Sequence, residues 1–277
     1  MANHQLIGYQ KGDSFLYDLS GASKLVFFVL VSVATMTTYD TRLILFIGAF
    51  SLYLFKQTKI PWKSISFVIT FMTFFAVLNI VMIYLFAPTY GEDIYQAKTI
   101  LFDGIGPFYL TSQELFYLFN VTLKYFSTVP LAILFLITTH PSQFASSLNQ
   151  IGVPYKIAYA VSLTLRYIPD VQEEFYTIRT SQEARGLELS KKAKLFERIK
   201  GNLQILMPLI FSSLDRIDVV ATAMELRRFG KLKKRTWYSY KPLSKNDIVT
   251  ILFAIVIVCL SLILFFVNHG RFYNPWQ

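Results

Sequence analysis

Residues Ser64–Ala87 run for twenty-four positions without a charged side chain. A helix over that run is about 36 Å long, enough to cross a bilayer core of about 30 Å. Ile248–Val267 is a second uncharged run, and Ser112–Ile137 is a third apolar run, with Glu114 near its start and Lys124 alone in its interior. Leu25–Thr38 and Leu43–Phe55 are shorter apolar runs separated by Tyr39-Asp40-Thr41-Arg42. Their spacing predicts two short spanning helices joined by a tight turn, with one bent unit as the alternative. The chain is 54% hydrophobic and only 16% charged, which agrees with a membrane class.

Charge then orients the spans. Of 27 Lys and Arg, 18 lie between Thr138 and Asp247, and Lys56, Lys59 and Lys63 precede the third span. The 88–111 loop instead carries Glu92, Asp93 and Asp103 against Lys98. Basic loops face the cytoplasm, so five spans place the N-terminus inside and the C-terminus outside. The net charge of +10 is therefore topology, and a nucleic-acid partner is not expected. The first twenty-four residues lack the basic-then-apolar pattern of a cleavable signal. Cys259, the single cysteine, lies in the last span, so no disulfide is expected within the chain.

The fold class expected is an all-α integral membrane protein with about five transmembrane helices. Residues 1–137 hold four of them, 138–247 form a cytoplasmic region of long amphipathic helices, and 248–277 hold the last span and an external tail. No strong strand pattern is visible. In the cytoplasmic region, Val161, Leu165, Ile168, Val171, Phe175 and Ile178 step by three or four, as do Leu203, Leu206, Ile210, Leu214, Ile217, Val220 and Met224. Each series predicts one apolar stripe on a helix. Pro169 and Pro208 should kink these helices or begin new ones. Between them, Leu189, Ala193, Phe196 and Ile199 form a third stripe beside Lys191, Lys192, Lys194, Arg198 and Lys200. That segment fits either a helix on an anionic membrane surface or a solvated connecting helix. Lys231, Lys233, Lys234 and Arg235, with Trp237, Tyr238 and Tyr240, read as an interface anchor before the last span.

Enzymatic signatures are mostly absent. There is no phosphate-cradling G-x-x-x-x-G-K-[ST] loop and no H-E-x-x-H. His4, His140 and His269 are dispersed without ligand spacing, so no metal or cofactor is expected. An ion-driven carrier usually shows ionisable groups deep in its spans, and only Lys124 qualifies. Snorkelling, or a position facing other helices, accounts for that lysine without a transport role.

Two short motifs remain, Ala184-Arg185-Gly186 and Leu226-Arg227-Arg228, each at the end of a long amphipathic segment and preceded by Glu183 or Glu225. A basic residue in a last turn complements the helix dipole, and a glycine beyond it supplies a left-handed cap. Arg185-Gly186 fits that description, as does Arg228-Phe229-Gly230. A capped end also leaves its arginine projecting, and guanidinium offers a planar fork for bidentate grip on a carboxylate.

Several runs resemble the transmembrane T component of energy-coupling factor transporters. They are Leu163-Thr164-Leu165-Arg166-Tyr167-Ile168-Pro169, Glu173-Glu174, Gln182-Glu183-Ala184-Arg185-Gly186, Pro208-Leu209-Ile210-Phe211-Ser212-Ser213, Asp215-Arg216 and Ala223-Met224-Glu225-Leu226-Arg227-Arg228-Phe229-Gly230. Gly12-Asp13-Ser14-Phe15-Leu16, then Leu19 and Lys24-Leu25, is similar to that family's opening. The resemblance implies a non-catalytic membrane subunit of an ATP-driven micronutrient importer. It also implies two cytoplasmic ABC-type ATPase subunits as partners, a membrane S component that binds substrate, and entry of Arg185 and Arg227 into the ATPase grooves. Ala184 and Gly186 would permit close approach. The second motif departs from the family's usual small residues at Leu226 and Arg228, and register favours Arg227 over Arg228 as the inserted side chain. A polytopic membrane enzyme or a self-contained carrier is the alternative.

Overall fold

A computed structural model describes residues 12, 14–61, 65–105, 108–187, 195–232 and 236–276. Its elements in order are α1 (Phe15–Asp18), α2 (Gly21–Thr37), α3 (Thr41–Gln57), α4 (Ser66–Phe86), α5 (Tyr90–Tyr95), β1 (Ile100–Ile105), β2 (Phe108–Thr111) and α6 (Ser112–Thr138). They continue with α7 (Pro141–Gln150), α8 (Tyr155–Ala184), α9 (Leu195–Leu226) and α10 (Lys245–Val267). Packing divides the chain into two compact units, Met1–His140 with Lys241–Gln277, and Pro141–Tyr240.

The first unit is built from α2, α3, α4, α6 and α10. Ser66–Phe86, Ser112–Thr138 and Lys245–Val267 are long and apolar enough to cross a membrane. The expected pair of shorter helices is present, as α2 and α3 of 17 residues each. Short polar side chains start these helices by accepting orphan backbone N–H groups. Ser20 accepts from the Ser23 N–H at 3.2 Å, Asp40 from Arg42 at 3.0 Å and Thr111 from Glu114 at 3.3 Å. Ser244 and Asp247 complete a reciprocal capping box on α10.

Val31, Ala34, Leu43, Ile47, Leu131, Ala254 and Ile257 form one core cluster where α2, α3, α6 and α10 meet. Gly48 lets α3 and α6 approach closely, since a Cβ there would lie 2.7 Å from the Ser127 hydroxyl oxygen. Lys124 faces other helices. It is buried, donates to the Met36 carbonyl at 2.8 Å and lies 3.1 Å from the centre of the Tyr39 ring. In α4 only Met72 and Ala76 are buried, so its phenylalanines 67, 71 and 74 face outward as lipid-exposed residues do.

Two expectations are corrected here. The 88–111 segment is not a plain loop: it holds α5 and an antiparallel hairpin pairing Ile100 with Thr111, Phe102 with Leu110 and Ile105 with Phe108. Register irregularities between these pairs erase the clean alternation by which strands are recognised. Its Glu92 is half-buried, 3.5 Å from Lys98, and accepts from the Tyr109 hydroxyl at 3.2 Å. The prolines, in turn, begin no new helices. Pro169 and Pro208 sit inside continuous α8 and α9, each losing one backbone hydrogen bond while the turns on both sides persist.

Candidate functional site

In the second unit, α8 and α9 form an antiparallel pair. Near their middle, Arg216 donates to the Glu174 carboxylate at 2.7 Å, and the Ser212 hydroxyl donates to the same carboxylate. The Arg216 guanidinium also lies over the Tyr167 ring, 5.9 Å from its centre. Below this, Ile205 and Leu209 are buried.

The buried face of α9 is not the one expected from its apolar stripe. Gly201, Ile205 and Leu209 are buried, and Ser212, Arg216 and Val220 continue that face half-buried. Leu203, Leu206, Ile210, Leu214 and Ile217 are exposed, at 43–60% of their surface. The inward face of α9 is therefore a mixed one, with Ile205, Leu209 and Val220 beside Gly201, Ser212 and the salt-bridged Arg216, and the residues from Leu203 to Ile217 on the apolar stripe are left uncovered. On α8 the expected stripe is half-buried except for Ile168, which is exposed. The basic third stripe falls largely on residues 188–194, outside the described residues; Phe196 and Ile199, within them, are exposed.

Both arginine motifs end their helices with the same backbone device. In α8 the last helical residue is Ala184, Arg185 follows, and Gly186 takes the left-handed conformation at φ +90°. The Gly186 N–H donates to the Glu183 carbonyl at 3.0 Å and the Leu187 N–H to the Gln182 carbonyl at 3.0 Å, the two bonds of a Schellman cap. In α9 the last helical residue is Leu226, Arg227 follows, and Arg228 is left-handed at φ +54°. The Arg228 N–H donates to the Glu225 carbonyl at 2.8 Å and the Phe229 N–H to the Met224 carbonyl at 2.9 Å.

The register is thus fixed by geometry. Arg227 matches Arg185, Leu226 matches Ala184, and Arg228 stands where the first motif has Gly186. Sequence reasoning placed the second left-handed cap at Gly230; the structure places it at Arg228, with Gly230 left-handed again in the following turn at φ +82°. Arg185, Arg227 and Arg228 are all exposed, and among the described residues no carboxylate lies within ion-pair distance of any of them. Glu183 is taken by Arg179 at 2.9 Å, one turn earlier on α8.

The two ends differ in what supports them. Phe229 packs 4.5 Å from the Tyr159 ring centre and 5.5 Å from Tyr155, and Tyr155 lies 5.7 Å from Trp237. Trp237 donates to the Asn149 side chain at 3.1 Å. This aromatic group was not anticipated, and Trp237, expected as a membrane-interface anchor, is spent in it. Lysines 233 and 234 and Arg235 lie outside the described residues. Beside the aromatics is a recess of about 420 Å³ whose lining includes Arg227. Among the described residues no such platform adjoins the first motif: a Cβ added at Gly186 would meet nothing within 4 Å. Because Phe229 reaches the first turns of α8 while Arg185 closes its far end, roughly 40 Å of helix separates the two arginines.

A family model described as CbiQ, cobalt transport protein, matches residues 12–238. The chain belongs to that family. Among similar CbiQ-type proteins, one from Clostridium kluyveri, named energy-coupling factor transporter transmembrane protein EcfT, is 26% identical over 269 residues, covering 92% of this chain and 94% of its own length. A protein of the same name from Staphylococcus aureus is 25% identical, covering 98% and 99%. Another from Bacillus selenitireducens is 28% identical, covering 83% and 85%. The resemblance drawn from the arginine motifs and their flanks is borne out by these matches, as is the all-α membrane class.

Proposed function

We propose that the chain is the T component of an energy-coupling factor importer, a coupling subunit without catalytic residues of its own. In this reading the 138–247 region is a cytoplasmic coupling domain, the N-terminus is cytoplasmic and the C-terminus external. Two ABC-type ATPase subunits bind the ends of α8 and α9, where Arg185 and Arg227 each enter a groove and meet a carboxylate.

The observation that carries this reading is the pair of helix ends closed by the same two backbone hydrogen bonds, each presenting an exposed arginine with no carboxylate partner among the described residues. An arginine used for fold stability is normally paired, as Arg216 is with Glu174. Separation supports two partners rather than one, because roughly 40 Å of helix exceeds the reach of a single groove. The uncovered stripe from Leu203 to Ile217 supplies an apolar surface for the membrane S component. Movement imposed at the two helix ends would reach that stripe through the α8–α9 pair.

Purification of the tagged full-length chain from its native membrane, followed by mass identification of what accompanies it, tests the assignment. Two ATPase polypeptides or two copies of one, together with a small membrane protein, are expected. A chain that purifies alone and is active alone would overturn it.

A further inference from the structure

The membrane unit contains a cavity of about 230 Å³ at the end of the bundle where α2 and α10 begin and α3 and α6 finish. Its walls include Phe27, Phe28, Phe50, Leu131, Phe135 and Phe253. Three of its fifteen described lining residues have polar side chains: Lys24, Thr138 and Thr250. Both threonine hydroxyls donate back to their own helices, to Leu134 at 2.7 Å and Asn246 at 2.8 Å. Water in a cavity needs two to four polar partners, and this lining offers few. The volume is several times the roughly 30 Å³ share of one water molecule, so hydrocarbon suits it better.

Lys24 sets the polarity of the guest. It is 6% exposed, and among the described residues its ammonium makes one hydrogen bond, to the Thr138 carbonyl at 2.8 Å. Among the described residues no carboxylate lies within ion-pair distance of it. Asp247, in the neighbouring first turn of α10, is already engaged. It accepts from the Ser20 N–H at 2.7 Å, the Ser23 hydroxyl at 2.5 Å, and the Ser244 N–H and hydroxyl at 2.7 and 2.8 Å. The Asp247 and Asp18 carboxylates attract the Lys24 ammonium from beyond ion-pair distance and Lys241 repels it, so the buried ammonium has no carboxylate in contact and has room for an anionic partner. A second cation stands at the same rim: Lys241 donates to the Asp18 carbonyl on α1, the short helix whose Phe15 and Leu16 also line the cavity. Phe15 and Val249 are 46% and 63% exposed, so the cavity opens outward between α1 and α10.

We propose that this cavity holds one acyl chain of an anionic phospholipid whose headgroup is bound by Lys24 and Lys241. The lipid would fill the space between α1, α2, α6 and α10 and tie the short α1 to the bundle. This inference is independent of the partners proposed above, since it concerns the chain's own membrane unit.

The test uses the full-length chain in nanodiscs of phosphatidylcholine with a minor fraction of phosphatidylglycerol, reading retained lipid by native mass spectrometry. Phosphatidylglycerol should be retained about thirtyfold over its share, the scale two lysines give near a membrane. Lys24→Gln and Lys241→Gln should each remove most of that preference. Val249→Trp, at the exposed mouth, should reduce retention of either lipid. Equal retention of both lipids by the wild-type chain would overturn the proposal. So would full preference in the Lys24→Gln and Lys241→Gln variants, or displacement of phospholipid by free fatty acid.

Discussion

Arg227 occupies the position in its helix terminus that Arg185 occupies in the other: each follows the last helical residue and precedes a left-handed one. The equivalence rests on four backbone hydrogen bonds, two at each end, rather than on side-chain similarity. It separates the roles of two adjacent arginines. Arg227 projects from the cap, whereas Arg228 forms it.

Arg228 therefore bears backbone strain that its counterpart Gly186 avoids. A residue with a Cβ in the left-handed region costs on the order of 1–3 kcal/mol, and glycine relieves that cost. Arg228→Gly should raise the stability of the full-length chain by about 1 kcal/mol, partly offset by chain entropy. Gly186→Ala, at φ +90° in open space, should lower it by about 1 kcal/mol for the same reason. Thermal unfolding in detergent measures both.

The α8–α9 pair depends on Glu174, which accepts from both Ser212 and Arg216. The pair is partly solvent-exposed, so its contribution is modest. Glu174→Ala and Arg216→Ala should each destabilise the helix pair by about 1 kcal/mol. The double variant should cost little more than the worse single one, because both remove one interaction. Denaturant titration of the four chains checks this.

Asp40 joins the α2–α3 turn to the end of α10. Its buried carboxylate accepts from the Arg42 N–H, from the Arg42 guanidinium at 3.1 and 2.7 Å, and from the Asn268 amide at 2.8 Å. Burial alone would raise its pKa, but the hydrogen bonds from Arg42 and Asn268 outweigh it and hold the carboxyl below its ordinary value. A depressed folded-state pKa gives stability that is present above the unfolded value of about 3.9 and lost as pH falls through the folded one. Asp40→Asn should flatten the acid limb of the unfolding midpoint against pH while leaving the neutral region shifted uniformly.

The Lys124 ammonium is held by the Met36 carbonyl and the Tyr39 ring, contacts that suit a packing role. Lys124→Met should cost about 1 kcal/mol, since it leaves the part-buried Met36 carbonyl without this donor. Transport per folded complex should survive. A carrier that moves ions through its own spans would instead lose uptake altogether.

Much of the fold is legible in the chain because its strongest signals are local. Long apolar runs with few or no charges locate α4, α6 and α10, and Asp40 marks the break between α2 and α3. What escapes is set by tertiary contact. The second helix end closes at Arg228 rather than Gly230 where Phe229 packs on Tyr155 and Tyr159, residues some seventy positions earlier. The face by which α9 meets α8 is hidden for a similar reason. Its most apolar stripe is the one left exposed, and hydrophobic periodicity alone cannot distinguish a stripe covered by this chain from one left for another.

The assignment of Arg185 and Arg227 to ATPase grooves is tested most directly by association. The membrane complex carrying Arg185→Ala, Arg227→Ala or Arg228→Ala is captured through the present chain, and the bound ATPase is quantified. Losing one member of a buried charge pair costs about 2–5 kcal/mol, so Arg185→Ala and Arg227→Ala should each weaken association at least tenfold. Arg228→Ala should leave it nearly unchanged. Full ATPase retention by both Arg185→Ala and Arg227→Ala, or its loss only in Arg228→Ala, would contradict the proposed coupling.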